Sequence, residues 1–343
     1  MNWRKRLDWV NCITVETRYT VSLQFPGRFR QVKAPNEFGE EMYYFMRNIE
    51  INIGNTCNNE CLFCMVDHRS RGFVDYKTIE REIIKAKKDG FESIGFLGGE
   101  FTLHPDVLKI IKLAKILGFK IIHIISNGRK YQDENFVKQL IKNGVNRFSV
   151  SIHSHKPEIE DYLTQRPGGF EEKIQGLKNL IKFNQSVSVN LVVNKLNYID
   201  IPESLKYFNE MGIKDFRLNF IWLHGRAKDN NDLFLKYSDF LPWVDEIINL
   251  AKENNFTIAF EGIPACLIKD KNKLDYIGEL RDLNTEVVAF NNPNKARENF
   301  NWQERKTNEF KIKHEKCALC EFKNICEGVW KDYIDIYGWE EFF

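Results

Sequence analysis

From about residue 46 to residue 260 the chain alternates between short β-rich runs and amphipathic helical runs. Ile49–Ile53 predicts a strand, and Tyr76–Asp89 a helix closed by Gly90. Ser93–Leu97 predicts a strand that ends in Gly98-Gly99. Pro105–Leu117 reads as a helix, with proline in its first turn and Gly118 just past its end. Lys120–Ile125 is a nearly continuous apolar strand, Glu134–Lys142 a helix and Arg147–Ile152 a strand. Phe170, Ile174, Leu177 and Ile181 recur with the helical period. Val187–Val193 and Phe216–Trp222 predict strands on either side of a helix over Pro202–Met211. A helix over Phe240–Lys252 and a strand over Phe256–Phe260 close the series.

About six βα units with buried strands predict a parallel sheet. Periodicity alone does not choose between a closed barrel, a partial barrel and an open sheet. The cysteine run after Ile53, Gly98-Gly99-Glu100, Ser126-Asn127-Gly128 and Ser151-Ile152-His153 all fall at strand C-terminal ends, where barrel chemistry sits. The expected fold is therefore α/β, a partial (β/α)6 TIM-type barrel over residues 46–260. An N-terminal β-hairpin extension precedes it over residues 1–45, with Thr14–Gln24 and Phe29–Val32 flanking Pro26-Gly27. Residues 261–343 form a linker and a small cysteine-containing C-terminal extension. Within them, the polar run 284–316 reads as a long connection, a candidate substrate lid.

The 343 residues suit a barrel-sized domain with an appended unit. Fifty basic against 48 acidic residues leave a net charge of +2, which gives no support to nucleic acid or an anionic membrane as partner. The N-terminus has no apolar stretch that would make a signal peptide, and the most apolar region, Ile110 to Ile125, is interrupted by Lys112, Lys115 and Lys120. A cytoplasmic location is expected. Eight cysteines there argue for metal or catalysis over disulfides.

Cys57, Cys61 and Cys64 have the spacing CxxxCxxC. Three thiolates can hold three irons of a [4Fe–4S] cube and leave the fourth open to a substrate or cofactor. A zinc ribbon pairs its cysteines differently. This run, with Phe63 before Cys64, resembles the signature of the radical S-adenosylmethionine (SAM) superfamily. The resemblance covers roughly residues 46 to 225. It implies that the three cysteines hold a [4Fe–4S] cluster whose open iron chelates SAM, and that reductive cleavage gives a 5′-deoxyadenosyl radical that takes hydrogen from a substrate. It also implies a flavodoxin- or ferredoxin-type reductant.

The resemblance extends to further positions. Gly98, Gly99 and Glu100 resemble the family's GGEP motif, which serves the methionine amino group, with Phe101 in place of proline. Ser126 and Asn127 match positions that contact methionyl or ribose groups. Ser151 and His153 match positions facing ribose or carboxylate, and Arg166 an arginine that pairs with the methionine carboxylate. Each is also readable as a polar residue capping a strand end. Asn190 and Asn219 are weaker candidates near the fifth and sixth strands.

Cys317, Cys320 and Cys326 form a second group, C-x2-C-x5-C, followed by Gly328 and Trp330. It resembles the core of the SPASM/Twitch extension, which carries auxiliary iron–sulfur clusters. The chain lacks the further C-x3-C step of that extension, so one auxiliary [4Fe–4S] cluster is expected, with Cys266 as fourth ligand. His314 is an alternative ligand, and structural zinc an alternative metal. Cys12 reads as a free buried cysteine. The implied activity is peptide maturation with one auxiliary cluster. Small-molecule dehydrogenation or cyclisation and a non-enzymatic electron carrier are the competing readings. The cyclase of molybdenum cofactor synthesis is disfavoured by the different spacing of the second triplet and the absence of that family's terminal glycine pair.

Overall fold

The computed structural model describes residues 31–35, 41–66, 71–278, 285–290 and 297–343. Most of the expected N-terminal hairpin, and Cys12, lie outside them. Gln31–Pro35 (β1) pairs antiparallel with Glu41–Phe45 (β2).

The centre is a nine-stranded sheet. Asn48–Asn52 (β3), Ser93–Leu97 (β4), Ile121–Ser126 (β5), Arg147–Ser151 (β6), Val187–Val193 (β7), Asp215–Phe220 (β8) and Thr257–Glu261 (β9) lie side by side in chain order, all parallel. Parallel neighbours need a crossover, and helices supply it. They are Tyr76–Lys88 (α1), Val107–Ile116 (α2), Glu134–Asn143 (α3), Pro157–Thr164 (α4), Gly169–Lys182 (α5), Ile201–Glu210 (α6) and Tyr237–Glu253 (α7). The caps follow local chemistry. Asp75 accepts from the Thr78 amide at 3.0 Å to start α1, and Asp133 takes the Asn135 and Phe136 amides to start α3.

The segment expected to be a connection does something else. Thr285–Phe290 (β10) pairs in parallel with β3, and Arg297–Asn301 (β11) pairs antiparallel with β10. Val288 and Phe290 are buried there. The edge of β3 would otherwise leave a row of backbone groups unpaired. The strand order thus runs β11-β10-β3 through to β9 and does not close into a barrel. The C-terminal segment adds the helical turns Ala265–Ile268 (α8) and Trp302–Arg305 (α9), the short pair Lys311–Ile312 (β12) and Val329–Trp330 (β13), and Lys331–Tyr337 (α10).

The sheet has two unlike faces, because side chains alternate along a strand. Ile51, Ile94, Phe96, Ile122, Ile124, Phe148, Val150, Leu191, Phe216, Leu218 and Phe260 are all buried on the helix side. The other face carries Glu50, His123, Ser149, Ser188, Asn190, Arg217 and Glu261 in half-buried to buried positions. A Cβ on Gly95 would lie 3.1 Å from Glu50 Cγ, which places the two on the same side. His123 Nε2 lies 2.8 Å from Ser149 Oγ, itself 2.6 Å from Ser188 Oγ, and Arg217 pairs with Glu261 at 3.1 Å. A parallel sheet ordinarily buries both faces under helices. Here the second face carries the polar and charged side chains named above.

Candidate active site

The loop after β3 carries Cys57, Cys61 and Cys64, all half-buried. It lies directly on the end of β4. The Gly99 amide donates to Gly54 O at 2.7 Å, and the Glu100 amide to Thr56 O at 2.8 Å. A Cβ on Gly99 would stand 2.3 Å from Thr56 O, and Gly98 holds φ at +144° against Gly54 O. The paired glycines thus admit the cysteine loop itself.

Two arginines hold that loop, one from beyond β5 and one from beyond β8. Buried Arg129, beyond β5, donates from Nη1 to Asn58 O at 2.8 Å and to Asn59 Oδ1 at 3.0 Å, while its Nε pairs with Glu172. Arg226, beyond β8, donates to Glu60 O at 2.6 Å and pairs with the Glu60 carboxylate. The Ala227 amide donates to Cys64 O at 3.2 Å, and Asn230 Nδ2 to Leu62 O at 3.2 Å. From α4, Leu163 O and Thr164 O accept the Leu62 and Glu60 amides. Neither arginine was singled out from sequence; an acidic Glu60 inside the cysteine run is the one local hint of a basic partner.

Burial raises all three thiols, Cys61 to about 12. A thiolate is the form that binds metal, so loading this loop releases protons. The Asn59 amide points at Cys57 Sγ at 3.4 Å, and Asn127 Nδ2 lies 3.9 Å from the same sulfur.

The other candidates separate into groups. Glu100 is buried, and its Oε1 accepts from the Thr102 amide, Thr102 Oγ1 and Ser126 Oγ at 3.0, 2.6 and 2.8 Å. Oε2 accepts from the Asn127 amide at 2.7 Å, which leaves it room for a further donor. Glu100 therefore ties the end of β4 to Ser126 and Asn127 at the end of β5. Asn127 reaches on to Asn58 Oδ1 at 2.7 Å. His153, fully buried, has its backbone amide on Glu160 Oε2 at 2.6 Å, and its Nδ1 accepts from the Val192 amide at 3.1 Å. Burial drives its pKa down to about 4, so the ring is neutral. Ser151 offers its carbonyl to Lys173 Nζ at 2.9 Å, and Lys173 also pairs with Glu160 at 2.5 Å, both side chains buried. Asn190 Oδ1 is buried without a partner among the described residues, and Asn219 is half-buried on the same polar face. Arg166 stands apart, on the exposed turn between α4 and α5.

In the C-terminal extension, Cys317 and Cys320 sit on one tight turn, with the Cys320 amide on Cys317 O at 3.1 Å. The Gly328 amide donates to Cys326 Sγ at 3.3 Å. Cys266, on α8, is pushed up to about 12, first by burial and then by the charges of Cys326, Cys320 and Cys317. The charges of the other three thiols of the expected set thus reach Cys266. His314 is engaged elsewhere, accepting the Lys316 amide and packing against Trp339 and Phe343. Among the described residues no three Cys, His, Asp or Glu side chains converge on a single metal ion. A cubane asks for something different, one thiolate on each corner iron. Half-buried thiols spread along a clamped loop suit that demand.

The loop after β8 touches both cysteine regions. Arg226, Ala227 and Asn230 hold the first, as above. Trp222 stacks on Trp330 of β13 at 5.4 Å and meets Phe310 at 4.5 Å.

Comparison with known proteins matches residues 51–208 to the model of the radical SAM superfamily. A probable GTP 3′,8-cyclase of Methanocaldococcus jannaschii is 31% identical over 280 residues, covering 72% of this chain and 92% of the relative. The chain belongs to the radical SAM superfamily. Among solved structures, Streptococcus suis SuiB bound to S-adenosylmethionine superposes with a TM-score of 0.65 at 20% identity, over 88% of this chain and 77% of SuiB. anSMEcpe with bound AdoMet superposes at 0.62 and 18% identity, over 86% and 95%. Both share the fold described above. The family works with a [4Fe–4S] cluster and SAM, and the cysteine loop after β3 has the residues to hold that cluster. No helix among the described residues is long and apolar enough to cross a membrane.

Proposed function

We propose that this radical SAM enzyme oxidises a peptide, using Cys57, Cys61 and Cys64 for the SAM-binding cluster and Cys266, Cys317, Cys320 and Cys326 for an auxiliary [4Fe–4S] cluster. When bound, the first cluster and SAM supply a 5′-deoxyadenosyl radical that removes a hydrogen atom from a substrate C–H bond. The chain's own residues do the rest. Arg129 and Arg226 hold the cysteine loop in shape. Asn127, set by Glu100, faces the Cys57 sulfur and is placed for SAM. Gly98, Gly99, Ser126, Ser151 and His153 line the same strand ends, and Arg166, further off, serves as a cationic anchor for a carboxylate. The polar face of the sheet, where Asn190 Oδ1 has no partner among the described residues, offers hydrogen bonds to the substrate.

The observation that carries the oxidative reading is the fourth thiol. Cys266 feels the charges of all three C-terminal cysteines. A cluster with four thiolates has no open iron for substrate and is suited to taking up an electron. The SuiB fold, also solved with the precursor peptide SuiA, supports a peptide as substrate. A second reading, cyclisation of a nucleotide such as GTP, is favoured by the 31% identity to the Methanocaldococcus relative.

The test is anaerobic reconstitution followed by reaction with SAM, a reductant and either GTP or short peptides encoded beside the gene. A two-hydrogen mass loss in a peptide supports the first reading. Consumption of GTP with SAM cleavage, and no peptide product, replaces it with the second.

A further inference from the structure

The turn that carries Cys317 and Cys320 presents its tip to solvent. Leu319, between the two cysteines, is the most exposed large apolar side chain among the described residues, at 91%. A lone exposed leucine is ordinary on a protein surface. This one is held out by its turn: the Cys320 amide donates to Cys317 O at 3.1 Å, and the Lys323 amide to Cys320 O at 3.2 Å. Ile312 and Ile325 are exposed in the same segment.

The setting of Leu319 is basic. Lys323 Nζ donates to Ala318 O and Lys313 Nζ to Lys323 O, each at 3.0 Å. Lys316 Nζ lies over the Phe343 ring, 5.0 Å from its centre. All three lysines are exposed, and carbonyls and a ring hold them there. Against them, residues 312–325 carry Glu315 and Glu321, and Glu321 already pairs with Lys271 at 3.0 Å. The basic character is local, because the charges of the whole chain nearly balance. The Cys317 and Cys320 thiols on the same turn are only half-buried. An apolar tip flanked by one sign of charge suits a brief, electrostatically steered encounter with a protein of the opposite sign. Redox partners meet over small surfaces of this kind.

We propose that the turn of Cys317 and Cys320, with Leu319 at its tip and Lys313, Lys316 and Lys323 beside it, is the docking surface for an acidic one-electron carrier protein of the ferredoxin or flavodoxin type. This rests on the reading of the four-cysteine site as an auxiliary cluster. The substrate radical gives up one electron and one proton, and the electron reduces that site. The site then passes the electron to the oxidised carrier, a transfer in which no bond changes and no proton moves. The lysines steer the carrier and Leu319 seats it.

The experiment is anaerobic stopped-flow mixing of the reduced, reconstituted full-length chain with oxidised flavodoxin, followed by flavin absorbance over a range of salt concentrations. It is run on wild type, Leu319→Ser and Lys313→Glu/Lys316→Glu/Lys323→Glu, with and without a Cys57→Ala/Cys61→Ala/Cys64→Ala background that silences the first site. A small neutral dye as oxidant is the control. The wild-type rate is expected to fall as salt rises. The charge-reversed variant should be about tenfold slower at low salt and lose that dependence. Leu319→Ser should be slower with the dependence kept, and the dye should oxidise all three alike. Variants that match wild type towards flavodoxin overturn the proposal while leaving the cluster in place, as do variants slowed equally towards the dye. A wild-type dimer that Leu319→Ser dissolves, with electron transfer unaffected, gives the surface to a second copy and also overturns it. Wild type holding only about four irons plus zinc overturns the auxiliary-cluster reading, and the proposal with it.

Discussion

Phe63, the residue before Cys64, meets the buried ring of His153 edge-on, with ring centres 4.5 Å apart and planes at 70°. The contact ties the cysteine loop after β3 to the end of β6, and it needs a neutral imidazole to stay buried. Its pKa of about 4 lies below the 6.5 of an exposed histidine. Between those values the unfolded chain binds more protons than the folded one.

Stability from His153 is therefore complete above about pH 6.5 and lost as pH falls towards 4. The gap corresponds to about 3 kcal/mol at most. Denaturant titrations across that window, wild type against His153→Gln, test it. The variant keeps an acceptor for the Val192 amide without titrating, so its stability should vary less with pH. Equal slopes would remove His153 from the account.

Arg129 makes its bonds from a buried position, so its removal strands Asn58 O and Asn59. Arg129→Ala should cost about 3–5 kcal/mol. It should also speed the loss of iron from the first site to a chelator several-fold, with Arg129→Lys between it and wild type. Unchanged iron retention would show that the clamp does not matter to the loop.

Gly99→Ala places a methyl 2.3 Å from Thr56 O. The cysteine loop must lift from β4. About half of the bound iron should be lost, at an overpacking cost of about 1–3 kcal/mol. Full iron loading of a folded Gly99→Ala chain would contradict the loop's seating.

The Lys173–Glu160 pair is buried and supports His153 and Ser151. Burial alone would raise Glu160, but Lys173 and its hydrogen bonds outweigh that and hold it below its usual value. Lys173→Met leaves that carboxylate uncompensated and should cost about 3–5 kcal/mol. A Lys173→Met/Glu160→Leu double change should recover much of it. Urea denaturation of the three variants decides.

Much of this was legible in the sequence, for a physical reason. Ser93–Leu97 and Val187–Val193 have the residues their strands occupy, because apolar runs bounded by glycine or polar turns define strands locally. Spacing alone grouped Cys57, Cys61 and Cys64 on one loop, and in the fold the charges of Cys326, Cys320 and Cys317 are felt at Cys266. The short helix α4 escaped, since Ile159 and Leu163 are too few to mark a period. So did β10 and β11, whose pairing with β3 depends on an edge far away in sequence. Arg129 and Arg226 were invisible for the same reason: they reach the cysteine loop from 71 and 166 residues away. The polar face of the sheet appears only once registers bring Asn190 beside Arg217.

On the proposed function, the cysteine loop after β3 is the site of radical generation. The direct measurement is 5′-deoxyadenosine formed from SAM under reducing, anaerobic conditions, by the reconstituted wild type and by Cys57→Ala/Cys61→Ala/Cys64→Ala. Product from wild type alone, with the variant retaining the iron of its C-terminal cysteines, is the expected result. Wild type that carries iron on the first loop yet leaves SAM intact, or a triple variant that still cleaves it, would contradict the account.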